Sequence, residues 1–113
     1  MPGLGEAVVD LSAVAHNTAV FARILGPSAL MAVVKSDGFG HGSVEIARTA
    51  LQHGASWIGV TTSTEALELR AAGIDAPMLM WLYPPNADLR ETLAAGVHVS
   101  ASSGRDLDLL AEQ

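Results

Sequence analysis

Cysteine is absent from this sequence, and lysine occurs once, at Lys35. Without cysteine there is no disulfide framework, no thiolate zinc site and no thiol nucleophile. Clustered positive charge is missing too. The arginines Arg23, Arg48, Arg70, Arg90 and Arg105 are scattered and the net charge is −6. Binding to a phosphate backbone needs the opposite balance, so a nucleic-acid partner is not expected. No apolar run approaches the ~20 residues that cross a bilayer, so no membrane partner is expected either. The opening "MPGLGEAVVDLS" lacks the basic start and apolar core of a signal peptide. The expected location is the cytoplasm.

What is present is apolar and regular. Half of the 113 residues are hydrophobic and 16% are charged, a balance that builds a core and excludes disorder. The length fits one small domain or a piece of a larger one. Three stretches share a plan: "HGASWIGVTTS" at 53–63, "AGIDAPMLMWLYPP" at 72–85 and "AGVHVSASS" at 95–103. In each, glycine closes a helix, a short apolar run follows, and polar residues open the next helix. Gly54, Gly73 and Gly96 stand where a helix end calls for positive φ. Thr62 with Glu65 has capping-box spacing, Ser103 with Asp106 is a looser version, and Asn86 or Asp88 is placed to cap the helix carrying Leu89 and Leu93.

The helices between have apolar residues at intervals of three and four. Val14, Phe21, Ile24 and Leu25 form one stripe, and Val44, Ala47 and Leu51 another. The runs "LMAVV", "WIGV", "MLMWL" and "VHV" are short, as buried parallel strands are. Strands alternating with helices predict an opening strand "AVVDL", a first helix and four βα units, the last ending within the helix "LDLLAEQ". Periodicity leaves a doubly wound sheet and a partial (β/α)8 barrel both open. A complete barrel takes about 250 residues, so the second would be about half of one.

In both architectures chemistry sits at the C-terminal ends of the strands. Lys35 closes the run "LMAVV" there, as do Thr61 and Thr62, Trp81 to Tyr83, and Ser100. A strand-end lysine can simply reach for water. A primary amine in a chain that otherwise uses only arginine points instead to Schiff-base chemistry. The glycine-rich "GFGHG" then precedes a helix expected to start near Ser43, where free N–H groups can face an anion.

The stretch "AVVKSDGFGHG" resembles the pyridoxal-phosphate attachment motif of alanine racemases. "AVVDLSAVAHNTAVFARIL" and "IARTALQHGASWIGVTTSTEALELRAAGIDAPMLMWL" are similar to that family's opening strand and helix and to its next two βα units. The resemblance implies a (β/α)8 barrel followed by a C-terminal β domain, working as a homodimer on a small amino acid, alanine. Residues 1–113 would be the N-terminal part of that barrel, with the rest of the barrel and the β domain absent. By resemblance Lys35 holds pyridoxal 5′-phosphate and acts as the base on one face of the substrate. Val33 and Trp81 match positions lining the cofactor pocket, Trp81 in place of a smaller aliphatic residue. Ser36 replaces a commoner alanine. The second base, a tyrosine of the partner subunit's C-terminal domain, has no counterpart here, since Tyr83 does not match it.

Other groups carry blander readings. His41 orders the motif loop, and His16, His53 and His98 are too dispersed for a metal set, so no metal is expected. Asp10 and Asp37 read as caps. The rival to a racemase segment is a non-catalytic half-barrel that pairs with itself or a partner through open sheet edges.

Phe39 stands where the family has a tyrosine that helps hold the cofactor phosphate. A missing hydrogen bond to a charged group is worth about 1.5–3 kcal/mol, roughly tenfold or more in affinity. Phe39→Tyr is therefore expected to tighten pyridoxal-phosphate binding by about tenfold in a spectroscopic titration. An unchanged affinity would remove the hydroxyl from the account.

Overall fold

A carboxylate opens the first helix. Asp10 accepts hydrogen bonds from the N–H groups of Ser12 and Ala13 at 2.9 and 3.2 Å and so caps α1 (Leu11–Leu25). The structure is a computed structural model that describes residues 10–35 and 42–113. Of the expected strand "AVVDL", residues 7–9 lie outside the described residues. Asp10 and Leu11 are the cap and first turn of α1, because that carboxylate answers two N–H groups the helix leaves free.

The remaining elements follow in strict alternation. They are β1 (Met31–Val33), α2 (Ser43–Gln52), β2 (Trp57–Val60), α3 (Ser63–Ala71), β3 (Met78–Met80), α4 (Arg90–Ala94), β4 (Val97–Val99) and α5 (Gly104–Ala111). The predicted capping box is formed: the Thr62 hydroxyl accepts from the Glu65 N–H at 3.4 Å and the Glu65 carboxylate accepts from the Thr62 N–H at 3.1 Å. Ser103 caps α5 through the Asp106 N–H at 3.2 Å, while Asp106 accepts from the Ser102 N–H and hydroxyl, both at 3.0 Å. Those bonds from Ser102 hold the Asp106 carboxyl below its ordinary range. Gly54, Gly73 and Gly96 have φ of 125°, 92° and 76°, as the helix-end reading requires.

Three expectations need correcting. Neither Asn86 nor Asp88 is the N-cap of α4; Leu89 holds that position, and its N–H donates to the Gln113 side chain at 2.8 Å. Asp88 turns instead to Arg90, an exposed pair at 2.7 Å that draws its carboxyl down to about 2. Helix α5 does not run through "LDLLAEQ" but closes at Ala111, with Glu112 as its cap. The stripe on α1 is not core either. Phe21 and Ile24 are 58% and 73% exposed among the described residues, although α1 packs on α2. A Cβ on Gly54 would come within 2.6 Å of Ala22, so only glycine permits that close approach.

The four strands are all parallel and lie in the order β1-β2-β3-β4. A doubly wound sheet would turn back on its order at a switch point, so sequential order decides for the barrel-type layout. Ala47, Ile58, Val60, Ala66, Leu69, Met78, Met80 and Leu89 form a fully buried layer between sheet and helices. The second stripe belongs to it, with Ala47 buried and Val44 and Leu51 packed against the layer. The radius of gyration is 15.7 Å, above the about 13 Å expected of a closed domain of this length. The sheet is an open arc.

Two arginines tie successive units together. Arg48 on α2 donates to the Ala72 carbonyl at the end of α3 at 2.6 Å. One unit later, Arg70 on α3 donates to the carbonyls of Ala95, Ile74 and Ala76 at 2.9, 2.8 and 2.7 Å. A guanidinium serves several carbonyls in a fixed fork, which a lysine ammonium cannot reproduce. Arg70→Lys is expected to lower stability by about 1–3 kcal/mol in urea unfolding, because carbonyls are left without a donor. An unchanged midpoint would show that the clamp contributes nothing.

Candidate functional site

Alternation along a strand sends neighbouring side chains to opposite faces of the sheet. Val34, Ile58, Val60, Met78 and Met80 take the helix-covered face and are buried. Met31, Val33, Trp57, Gly59, Leu79, Trp81 and His98 therefore fall on the other, concave face. Register aligns Val33 with Gly59, Gly59 with Leu79, and Leu79 with His98, so these four form one row across the arc. Toward the N-terminal ends of the strands, Ala29, Met31, Trp57, Leu79 and His98 line a cavity of about 390 Å³. There the rings of Trp57 and His98 lie with centroids 5.0 Å apart and planes tilted by 54°.

At the opposite edge, Lys35 follows directly on the sheet. The Val34 N–H donates to the Gly59 carbonyl at 2.9 Å, holding the chain to β2 up to the residue before the lysine. Lys35 itself is half-buried and begins a helical turn. The neighbouring strand end is fixed by Glu65. One of its oxygens accepts from the Thr61 N–H at 2.8 Å, the Thr61 hydroxyl at 2.7 Å and the Thr62 N–H at 3.1 Å. The capping box was legible in the sequence, but its second task of bracing the end of β2 was not, since nothing in the spacing shows the Thr61 hydroxyl.

The structure brings two of the four predicted site residues, Val33 and Trp81, to one face, and Lys35 follows at its edge. Val33 stands two residues before Lys35 and is 46% exposed, on the concave side. Trp81, 37% exposed, reaches from β3 over Gly59, the register partner of Val33. Phe39 lies outside the described residues, as do Asp37 and His41. Past that loop, Gly42 caps α2 with φ of 90°, so the helix starts at Ser43 as expected.

Tyr83 is committed elsewhere. Its hydroxyl donates to the Ser100 carbonyl at 2.6 Å, joining the ends of β3 and β4. Burial, and then the nearby Asp106 carboxylate, push its pKa up. His53 caps the end of α2, and His16 is exposed. Among the described residues no group of three His, Cys, Asp or Glu could hold a metal ion, and no helix is long and apolar enough to cross a membrane.

A primary amine at the rim of an exposed apolar floor suits a planar aldehyde cofactor. The amine would supply the covalent bond, and the exposed surfaces of Val33 and Trp81 would offer contact area for a ring. The residues present fit such a group.

Tyr83 is the only tyrosine, so its ionisation can be read directly by ultraviolet titration. It should titrate above the ordinary value of about 10. Since the folded state holds that proton more tightly, the associated stability is full below the unfolded pKa and is lost as pH rises through the folded one. Tyr83→Phe should cost about 0.5–1.5 kcal/mol at neutral pH. Ionisation at or below the ordinary value would contradict the burial and the Asp106 influence on this hydroxyl.

The family model for the alanine racemase N-terminal domain matches residues 9–113. The alanine racemase of Mycobacterium avium (strain 104) is 54% identical over 110 residues, covering 96% of this chain and 28% of that protein. The crystal structure of alanine racemase from Corynebacterium glutamicum superposes with a TM-score of 0.88 at 37% identity, over 93% of this chain and 31% of that one. That of Bartonella henselae, solved with covalently bound pyridoxal phosphate, superposes with a TM-score of 0.74 at 25% identity, over 88% of this chain and 28% of that one. The chain thus spans less than a third of the length of each relative.

Proposed function

Because this chain belongs to the alanine racemase family through its N-terminal domain, we propose that it forms the cofactor-attachment segment of a pyridoxal-phosphate-dependent racemase interconverting L- and D-alanine. The carrying observation is the position of the lone lysine, two residues past Val33 at the end of β1, where Val33 is paired with the Gly59 that Trp81 covers. Residues 1–113 are then the first part of the barrel. The remaining strands and a C-terminal β domain complete the site, and a second subunit supplies the base for the opposite face of the substrate. The product serves cell-wall peptidoglycan in the cytoplasm.

When bound, pyridoxal phosphate supplies an electron-poor ring that spreads negative charge from the substrate's α-carbon. The chain's own residues do the rest. The Lys35 Nζ would hold the cofactor covalently until the substrate's own amine displaces it, and the amine so freed would take and return the α-proton on one face, removing it from the D enantiomer. Val33 and Trp81 pack against the bound ring and keep water from that side. Phe39, in the same motif as the lysine, has no hydroxyl to donate to the cofactor phosphate. The Thr61–Glu65 brace keeps the neighbouring strand end in place, so the amine is presented from a fixed edge.

The rival is a half-barrel that pairs with a second copy without chemistry, and the exposed apolar floor favours it. One experiment separates them. The purified chain is titrated with pyridoxal phosphate, reduced with borohydride and mapped by peptide. The expected result is a label on Lys35 that Lys35→Ala removes. The only competing amine is the N-terminus, so a label confined there, on a folded chain, would contradict the assignment and leave the pairing module.

A further inference from the structure

Trp81 carries a larger side chain than an aliphatic position would, yet the structure accommodates it without disturbing the sheet. The space comes from the next strand. A Cβ built on Gly59 would lie 3.1 and 3.2 Å from indole atoms Cζ3 and Cη2 of Trp81, and 2.8 Å from the Met31 Sδ. The indole therefore lies back across β2, over the residue paired with Val33. Gly59 is a strand residue without positive φ. Its lack of a side chain answers a need for room and not for an unusual backbone.

We propose that Gly59 is a positioning residue for the cofactor face: its missing side chain seats the Trp81 indole flat on the sheet, one row below Lys35, where it forms the floor for the ring of the cofactor. This rests on the assignment of Lys35 above. With any larger residue at 59 the two contacts resolve differently. The Met31 sulfur is the end of a flexible chain and moves aside. The indole is rigid and sits at 3.1–3.2 Å, so a side chain longer than a methyl displaces it toward the open space above the floor. Steric relief and loss of the floor then coincide. The pairing of a glycine at 59 with a tryptophan at 81 is thus one device, and neither half works in the same way without the other.

The test uses the full chain in a Trp57→Phe background, so that Trp81 alone emits. Gly59→Val should shift its emission to the red as the ring leaves the sheet, and should weaken pyridoxal-phosphate binding roughly tenfold. Trp81→Leu alone should weaken binding about as much as Gly59→Val does, and the double variant no further than either, because both remove the same floor. Gly59→Ala is the milder companion should valine prevent folding, with the same sign in both readouts. An unshifted emission overturns the seat. A shifted emission with unchanged affinity, or losses from Gly59→Val and Trp81→Leu that add in the double variant, overturns its role at the site. Borohydride labelling of Lys35 in the unsubstituted chain is scored separately, so failure of the lysine assignment is not confused with failure of the seat. In that case the emission shift still decides whether Gly59 places the indole.

Discussion

Everything in this chain depends on the two-residue alternation of four parallel strands held in sequential order. That alternation divides the sheet into unlike faces. One is sealed by α2 to α5 over Ile58, Val60, Met78 and Met80, each with essentially no exposed surface. Burying side chains of this size contributes about 1.5–3 kcal/mol apiece, which makes the covered face the source of stability. The other face carries Val33, Gly59 and Trp81 and ends at Lys35. A slip of one residue in any strand would exchange the two faces and place the apolar core in the site.

The pattern of cations follows from the same division of labour. Arg48 and Arg70 each reach from one helix to the carbonyls closing the next, a repeated tie on the helical side of the sheet. These are tasks for a planar fork of donors that keeps its charge at every accessible pH. Under the proposed function the strand edge needs the contrary, an amine that can lose a proton and form a bond to carbon. On that proposal, one lysine among six basic residues separates scaffold from chemistry.

Much of the scaffold was legible because its signals are local. The Thr62–Glu65 box, the glycines at 54, 73 and 96, and the four short strands are each set by residues a few positions apart. Lys35 is placed at the end of β1, and the rest of its motif lies outside the described residues. The doubly wound alternative could be removed only by strand order, a long-range property. The apolar stripe of α1 misled for the same reason: periodicity identifies a face but not whether a neighbour covers it. The Arg70 clamp joins residues about one repeat apart, and the seating of Trp81 on Gly59 joins two strands. Neither leaves a spacing in the sequence.

The most direct measurement replaces the matching segment of the Mycobacterium avium alanine racemase, which is 54% identical, with residues 1–113 of this chain. Alanine racemisation by the purified chimera is then followed with and without Lys35→Ala. The expected result is a chimera that racemises alanine and loses the activity with Lys35. A folded chimera that binds pyridoxal phosphate elsewhere, or one that remains active after Lys35→Ala, would contradict the assignment of this face as the cofactor site.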